Sequence, residues 1–214
     1  YRKAALCFDL YDDDAGLSLV LDALDRFGVR ATFFLNGEFI RRHPQAAREI
    51  AEAGHETASM FYAPIDLSDT RYFIDGDFIT RGLARSEDEF FKATGKELAL
   101  LWHPPHYAVS PEIIASAAGA GYKTVGRDAD PGDWISRDHT GRIAVTLPDA
   151  ADMLDHVMES LRGGSIIPLR LGILPGGRED YLFNYIEVLL EALSRDGYEL
   201  VTVSRLMIDA ANDR

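Results

Sequence analysis

Short apolar runs alternate with amphipathic stretches from one end of the chain to the other, and this alternation restricts the fold more than any other feature of the sequence. Residues 3–9 (KAALCFD) read as a buried strand. Leu17, Val20, Leu21 and Leu24 then recur at the i, i+3, i+4, i+7 spacing of one helical face. Asp13 or Asp14 is the expected cap of that helix, since a carboxylate satisfies free amides and suits the positive helix end. Gly28 marks its stop. The same punctuation predicts strands over 31–36, 55–59, 98–103, 122–127, 165–171 and 199–203. It predicts helices over 44–53, within 77–94, and over 111–119, 149–162 and 181–196. Crossovers of this length join parallel strands. Strand and helix counts near seven favour a sheet closing into a barrel over an open, doubly wound one, although periodicity alone does not separate the two. In barrels of this kind the chemistry sits at the C-terminal ends of the strands.

A chain of 214 residues with 47% hydrophobic content can bury one full core, so residues 1–214 are expected to form a single domain. The start at Tyr1 and the absence of a signal-peptide pattern read as a piece trimmed from a longer chain. The 22 basic and 35 acidic residues give a net charge of −13. That balance argues against nucleic acid and anionic membrane surfaces, which require a basic face. It also makes an acidic glycan a poor partner unless a local basic pocket receives it. No apolar run reaches the roughly 18 residues of a membrane span, so no membrane insertion is expected. The single cysteine, Cys7, lies in an apolar run and reads as a core thiol.

Five segments stand at or just after the predicted strands: CFDLYDDD, GHETASMFYAPIDL, LWHPPHY, DADPGDW and GGSIIPLRLG. In this order and spacing they resemble the five signature motifs of the NodB-type polysaccharide deacetylases, the family 4 carbohydrate esterases. The similarity extends through ATFFLNGEFIRRHP, TGKELALLWHPPHY, SPEIIASAAGAGYKTVGRDADPGDW and LLEALSRDGYELVTVSRLM, and so along the whole chain. The resemblance implies a distorted (β/α)7-type barrel and metal-dependent deacetylation. It implies a divalent metal, usually zinc, held by one Asp and two His. The metal polarises the acetamide carbonyl and acidifies a water. A neighbouring Asp takes the water's proton and a His on another strand protonates the departing amine. An Arg and a further Asp orient those two groups.

The sequence departs from that pattern where the chemistry is densest. In the first motif Asp9 keeps the base position, but Leu10 stands at the ligand position. In the second, Met60 and Pro64 fall where the two His are expected, and 57–70 contains no His in any register. In the third, His103 replaces Arg; in the fourth, Asp130, Asp133 and Trp134 match; in the fifth, Arg170 replaces the acid His. Leu and Pro carry no donor atoms, and a thioether suits soft ions such as Cu(I) rather than zinc. Zinc lowers the pKa of bound water from about 15.7 to about 7, an upper bound of roughly 12 kcal/mol of activation. A single positioned base contributes only about 10²–10⁴-fold. A guanidinium remains protonated and cannot replace the acid. The sequence therefore predicts no resident metal.

Other donors near the motifs read differently. Asp12 to Asp14 read as a solvated helix start and His55 as structural. The two prolines of HPPH hold His103 and His106 in an extended turn, so the rings share no helical face.

Aromatic residues remain in or beside the motifs: Phe61, Tyr62, Trp102, Tyr107 and Trp134. Flat rings beside polar groups suit sugar faces. The expected ligand contacts are Trp102, His103, Tyr107, Asp130, Trp134 and Arg170. Arg170 is also expected to ion-pair with Asp133 or Asp9, standing in for the metal's charge. The expectation is a carbohydrate-binding or structural module of the cell envelope, at an extracellular, periplasmic or cell-surface location. The alternatives are a hydrolase acting on an acetylated glycan through a rearranged site, with Asp9 as base and His103 as second proton carrier, and a scaffold without a ligand. The oligomeric state is not readable from the sequence.

Overall fold

The structure, a computed structural model, describes residues 2–140 and 146–212. Its elements run in the order β1 (Lys3–Leu10), α1 (Leu17–Arg26), β2 (Thr32–Leu35), α2 (Gly37–Arg42), α3 (Pro44–Glu52), β3 (Glu56–Ser59) and α4 (Gly76–Thr94). There follow β4 (Leu101–Trp102), α5 (Pro111–Gly119), β5 (Lys123–Thr124), α6 (Arg137–Thr140), α7 (Ala150–Ser160), β6 (Ile166–Leu171), α8 (Ile186–Arg195), β7 (Glu199–Leu200) and α9 (Val203–Asn212). The strand order is β5-β4-β3-β2-β1-β6, and β7 pairs with β1. The pairs β1–β7, β3–β4 and β4–β5 are parallel, with Lys3 opposite Glu199, Ser59 opposite Trp102, and Leu101 opposite Lys123.

All seven predicted strands are present, several shorter than their apolar runs. Outside the two residues of β4 the ladder persists as single bonds: the Ala99 amide donates to the Thr57 carbonyl at 2.8 Å, and that of His103 to Ser59 at 3.2 Å. The 199–203 run is corrected: the strand stops at Leu200, and Val203 and Leu206 instead bury one face of α9. Periodicity marks neither the short α2 and α6 nor the longer α9, although the resemblance over ATFFLNGEFIRRHP includes a helix where α2 lies. The first two offer six and four residues, too few for a periodic signal.

Neither Asp13 nor Asp14 caps α1. Gly16, at φ 84°, occupies that position with no side-chain cap bond. The Asp13 carboxylate accepts instead from the amides of Ala15, at 2.9 Å, and Ile173, at 2.9–3.0 Å. It ties the turn after β1 to the turn after β6. Where the sequence supplies an Asp or Ser with a free N3 amide the cap forms as expected: Asp75 on α4, Ser110 on α5, and Asp149 on α7 in a capping box with Asp152.

Two compact units divide the chain, one formed by 1–8, 13–32 and 127–214, the other by 9–12 and 33–126. In the second unit Phe61, Leu67, Ile79, Leu83, Trp102, Ile113, Ala117 and Tyr122 form a continuous buried cluster. Each large side chain so enclosed contributes about 1.5–3 kcal/mol of transfer free energy. Two glycines permit close approach here. A Cβ on Gly82 would lie 2.1 Å from the Phe61 ring, and one on Gly37 would lie 2.3 Å from the Tyr62 ring. Both rings therefore lie directly on helix backbone.

Candidate functional site

In the second unit the end of β1 delivers Asp9 and the segment after β4 delivers His103. The His103 Nε2 lies 3.0 Å from the Asp9 Oδ1. Both side chains are enclosed, His103 at 0% and Asp9 at 5% relative exposure. The His103 Nδ1 faces the Pro104 carbonyl oxygen at 3.0 Å. A carbonyl only accepts, so Nδ1 carries a hydrogen. The bond to Asp9 needs a second, held on Nε2 or on the carboxyl. In either arrangement the pair is neutral as a whole, which is the form a buried site tolerates. Asp9 thus has a partner, a His at the place where the resemblance implies an Arg.

Tyr107 stacks on His103 with centroids 4.1 Å apart and planes 7° from parallel, and Phe34 meets the ring at 4.5 Å. His106 and Tyr107 hold φ of 58° and 57°. Consecutive left-handed non-glycine residues are costly and persist only where the surroundings enforce them. Here the enforcement is visible: the Tyr107 amide donates to Pro104, and the His106 amide donates to the Tyr11 hydroxyl, whose ring stacks on His106. His103 and His106 thus serve different stacks, as the prolines implied.

The remaining second-unit expectations divide. Leu10 and Met60 are both 0% exposed and are core residues. Trp102 is likewise 0% exposed, and its indole N–H donates to the Thr124 hydroxyl at 3.0 Å. Its expected role as a sugar platform gives way to packing, since neither ring face is open. His103 has both ring nitrogens engaged inside the protein and holds Asp9 in place. His55 is buried and packs on Phe33. Tyr107 remains partly exposed.

In the first unit the loop after β5 carries the fourth motif. Both Asp130 oxygens are engaged: Oδ1 accepts from the Gly132 amide at 2.9 Å, while Oδ2 accepts from the Trp134 indole at 3.2 Å and pairs with Arg127 at 2.6 Å. Asp130 thereby shapes the loop and fixes the Trp134 ring, which stays half-buried. Asp133 is 7% exposed, and its Oδ2 accepts from the Arg170 main-chain amide at 2.6 Å. Arg170's main chain thus joins the fifth motif to the fourth. At Asp9 the partner is His103.

Sequence reasoning missed Arg178. It is 5% exposed and donates to the carbonyls of Ile135 at 2.9 Å, Pro148 at 3.1 Å and Asp180 at 2.8 Å. Burial pulls its pKa down, while the Asp133 and Asp180 carboxylates push it back up. The available signal was a lone arginine directly after Gly176 and Gly177, both left-handed, which lets the chain fold back over its own side chain.

The residues present do not fit a zinc ion. The three ligand positions hold Leu10, Met60 and Pro64, and among the described residues no group of three His, Cys, Asp or Glu is arranged to hold a metal. Asp9, which precedes Leu10, is bonded to His103.

The polysaccharide deacetylase family model matches residues 1–125. A peptidoglycan-N-acetylglucosamine deacetylase from Bacillus cereus is 28% identical over 209 residues, covering 95% of this chain and 87% of the relative. A chitooligosaccharide deacetylase from a Bradyrhizobium species is 26% identical, covering 96% of this chain and 90% of its own length. Among solved structures, a CE4 family pseudoenzyme from Bacillus anthracis superposes with a TM-score of 0.78 at 20% identity, over 96% of this chain and 65% of that one. A mutant pseudoenzyme of that family with restored enzymatic activity gives 0.79. These likenesses show the fold, a (β/α) barrel of parallel strands with surrounding helices. With the family model matching more than half its length, the chain belongs to the polysaccharide deacetylase family.

Proposed function

We propose that this domain binds an acetylated glycan of the cell envelope without deacetylating it. The observation that carries this reading is the fate of the ligand positions. Two have become fully buried core residues, Leu10 and Met60, and the third is Pro64. Without a metal-bound water, Asp9 offers a single base already bonded to His103. Arg170, at the acid position, supplies no transferable proton near neutral pH.

The binding half of the proposal rests on what the fold retains. Trp134 is held by Asp130 with its ring half exposed, and Tyr107 stays partly open above His103. Rings fixed in this way suit the C–H face of a pyranose. The relatives are named for action on peptidoglycan and chito-oligosaccharides, which supports an N-acetylated sugar as the ligand class and the envelope as the location.

The test is a calorimetric titration with N-acetylchitotetraose in zinc-containing buffer, followed by mass spectrometry of the recovered sugar. Saturable binding with every acetyl group retained supports the reading. Acetyl release above buffer background supports a rearranged hydrolase instead, and absence of binding supports a scaffold.

A further inference from the structure

Beside the second motif, and built wholly within the second unit, lies a cavity of about 380 Å³ lined by Glu38, Phe61, Tyr62, Phe78, Arg81 and Arg85, among others. It is distinct from the Asp9–His103 cluster in every lining residue. Its walls are rigid. Tyr62 lies on the Gly37 backbone, and its carbonyl accepts from the Glu38 amide at 3.0 Å. Phe61 holds φ of 66°, fixed by its carbonyl accepting from the Gly37 amide at 3.0 Å and the Ser86 hydroxyl at 2.7 Å.

The charge of this cavity runs against that of the chain. Two arginines and one carboxylate line it in a protein of net charge −13. Arg85 stacks its guanidinium 3.7 Å from the centre of the Tyr62 ring, and among the described residues no carboxylate pairs with it. Arg81 has only a long contact with Asp77, at 3.9 Å. A guanidinium oriented on a ring and lacking an anion is prepared for bidentate capture of a carboxylate. The volume lies at the low end of small-molecule sites, about 300–1,000 Å³, with room for a short saccharide.

We infer that this cavity is a subsite for a carboxylate-bearing sugar. Arg85 and Arg81 take the carboxylate, Phe78 takes the C–H face of the ring, and Glu38 and the Tyr62 hydroxyl take sugar hydroxyls. The inference rests on the glycan-binding reading above and adds that the glycan is acidic.

The test compares two oligosaccharides of equal length on the whole chain, titrated by calorimetry or by NMR shift mapping. One is a hyaluronan tetrasaccharide, in which glucuronic acid alternates with N-acetylglucosamine; the other is neutral N-acetylchitotetraose. The wild type is expected to prefer the acidic sugar, with affinity falling as salt rises. Arg85→Ala should weaken the acidic sugar about tenfold, a loss of about 1.4 kcal/mol, and leave the neutral one unchanged. Arg85→Lys should recover only part of the loss, because an ammonium cannot form the paired bonds. Both side chains are exposed, so thermal unfolding should not move. Equal binding of the two sugars, or acidic-sugar binding untouched in both Arg85→Ala and Arg81→Ala, overturns the subsite while leaving the glycan reading intact. Failure of both sugars to bind overturns the subsite and the glycan reading together.

Discussion

The two units differ in what stands at the positions of the family's motifs. In the second unit apolar side chains, Leu10 and Met60, fill two of the positions where the resemblance implies metal ligands, both fully enclosed, and Asp9 is bonded to His103. In the first unit the family's polar residues remain, but they are bonded to the protein itself. Asp130 holds a turn and an indole, Asp133 holds the Arg170 amide, and the buried Arg178 gathers three carbonyls. The second unit encloses apolar side chains at two of these positions, and both units turn buried polar groups onto the protein itself. Removing a side chain should therefore be most costly where a polar group has been redirected in a buried setting, and least costly where a ring has been left open for a ligand.

The largest expected effect is at His103. His103→Ala leaves the Asp9 carboxyl enclosed without its partner, and should cost about 3–5 kcal/mol in urea unfolding. In a cycle with Asp9→Asn the two losses should be clearly less than additive. Additive losses would mean the pair is not a unit. Next comes Arg178→Ala, which strands three carbonyls in the first unit and should cost on the order of 3 kcal/mol. A loss below about 0.5 kcal/mol, the level of an ordinary surface change, would show that the first unit does not depend on this buried cation.

A smaller effect is expected from Gly82→Ala. The added methyl would sit 2.1 Å from the buried Phe61 ring, and overpacking of this kind costs about 1–3 kcal/mol. Because Phe61 also lines the Arg85 cavity, acidic-sugar binding should weaken alongside stability. The smallest stability effect belongs to Trp134→Ala. Its ring is half open, and unfolding should move by about 0.5 kcal/mol or less. Binding of N-acetylchitotetraose should nonetheless weaken by about 0.5–1.5 kcal/mol, the worth of a stacked ring. Unchanged binding would remove Trp134 from the ligand contacts.

Much of this was readable from the sequence because its cues are local. Apolar runs gave all seven strands, and Pro44, Gly54 and the Asp75, Ser110 and Asp149 caps sit where helix ends require them. The identities of Leu10, Met60 and Pro64 need no structure to be read against the motifs. What escaped were effects of tertiary partners. Asp13 looked like a cap because its carboxylate stands before a helix, yet its acceptor capacity went to Ile173, which is remote in sequence. Trp102 looked like a platform because it follows a strand, and only packing with Ile79, Leu83 and Ile113 reveals it as core. Arg170 donates its main-chain amide to Asp133, a bond that no side-chain pattern reports. The Arg85 cavity required Gly37 and Gly82, two small residues on separate helices, to meet the consecutive rings of Phe61 and Tyr62.

The central claim is that this is a deacetylase frame whose ligand positions no longer accommodate zinc. Equilibrium dialysis against zinc, with metal content read by mass spectrometry, tests it most directly. The wild type should retain no stoichiometric zinc after removal of free metal, while Leu10→Asp combined with Met60→His and Pro64→His should gain it. Stoichiometric zinc on the wild-type chain would contradict the account.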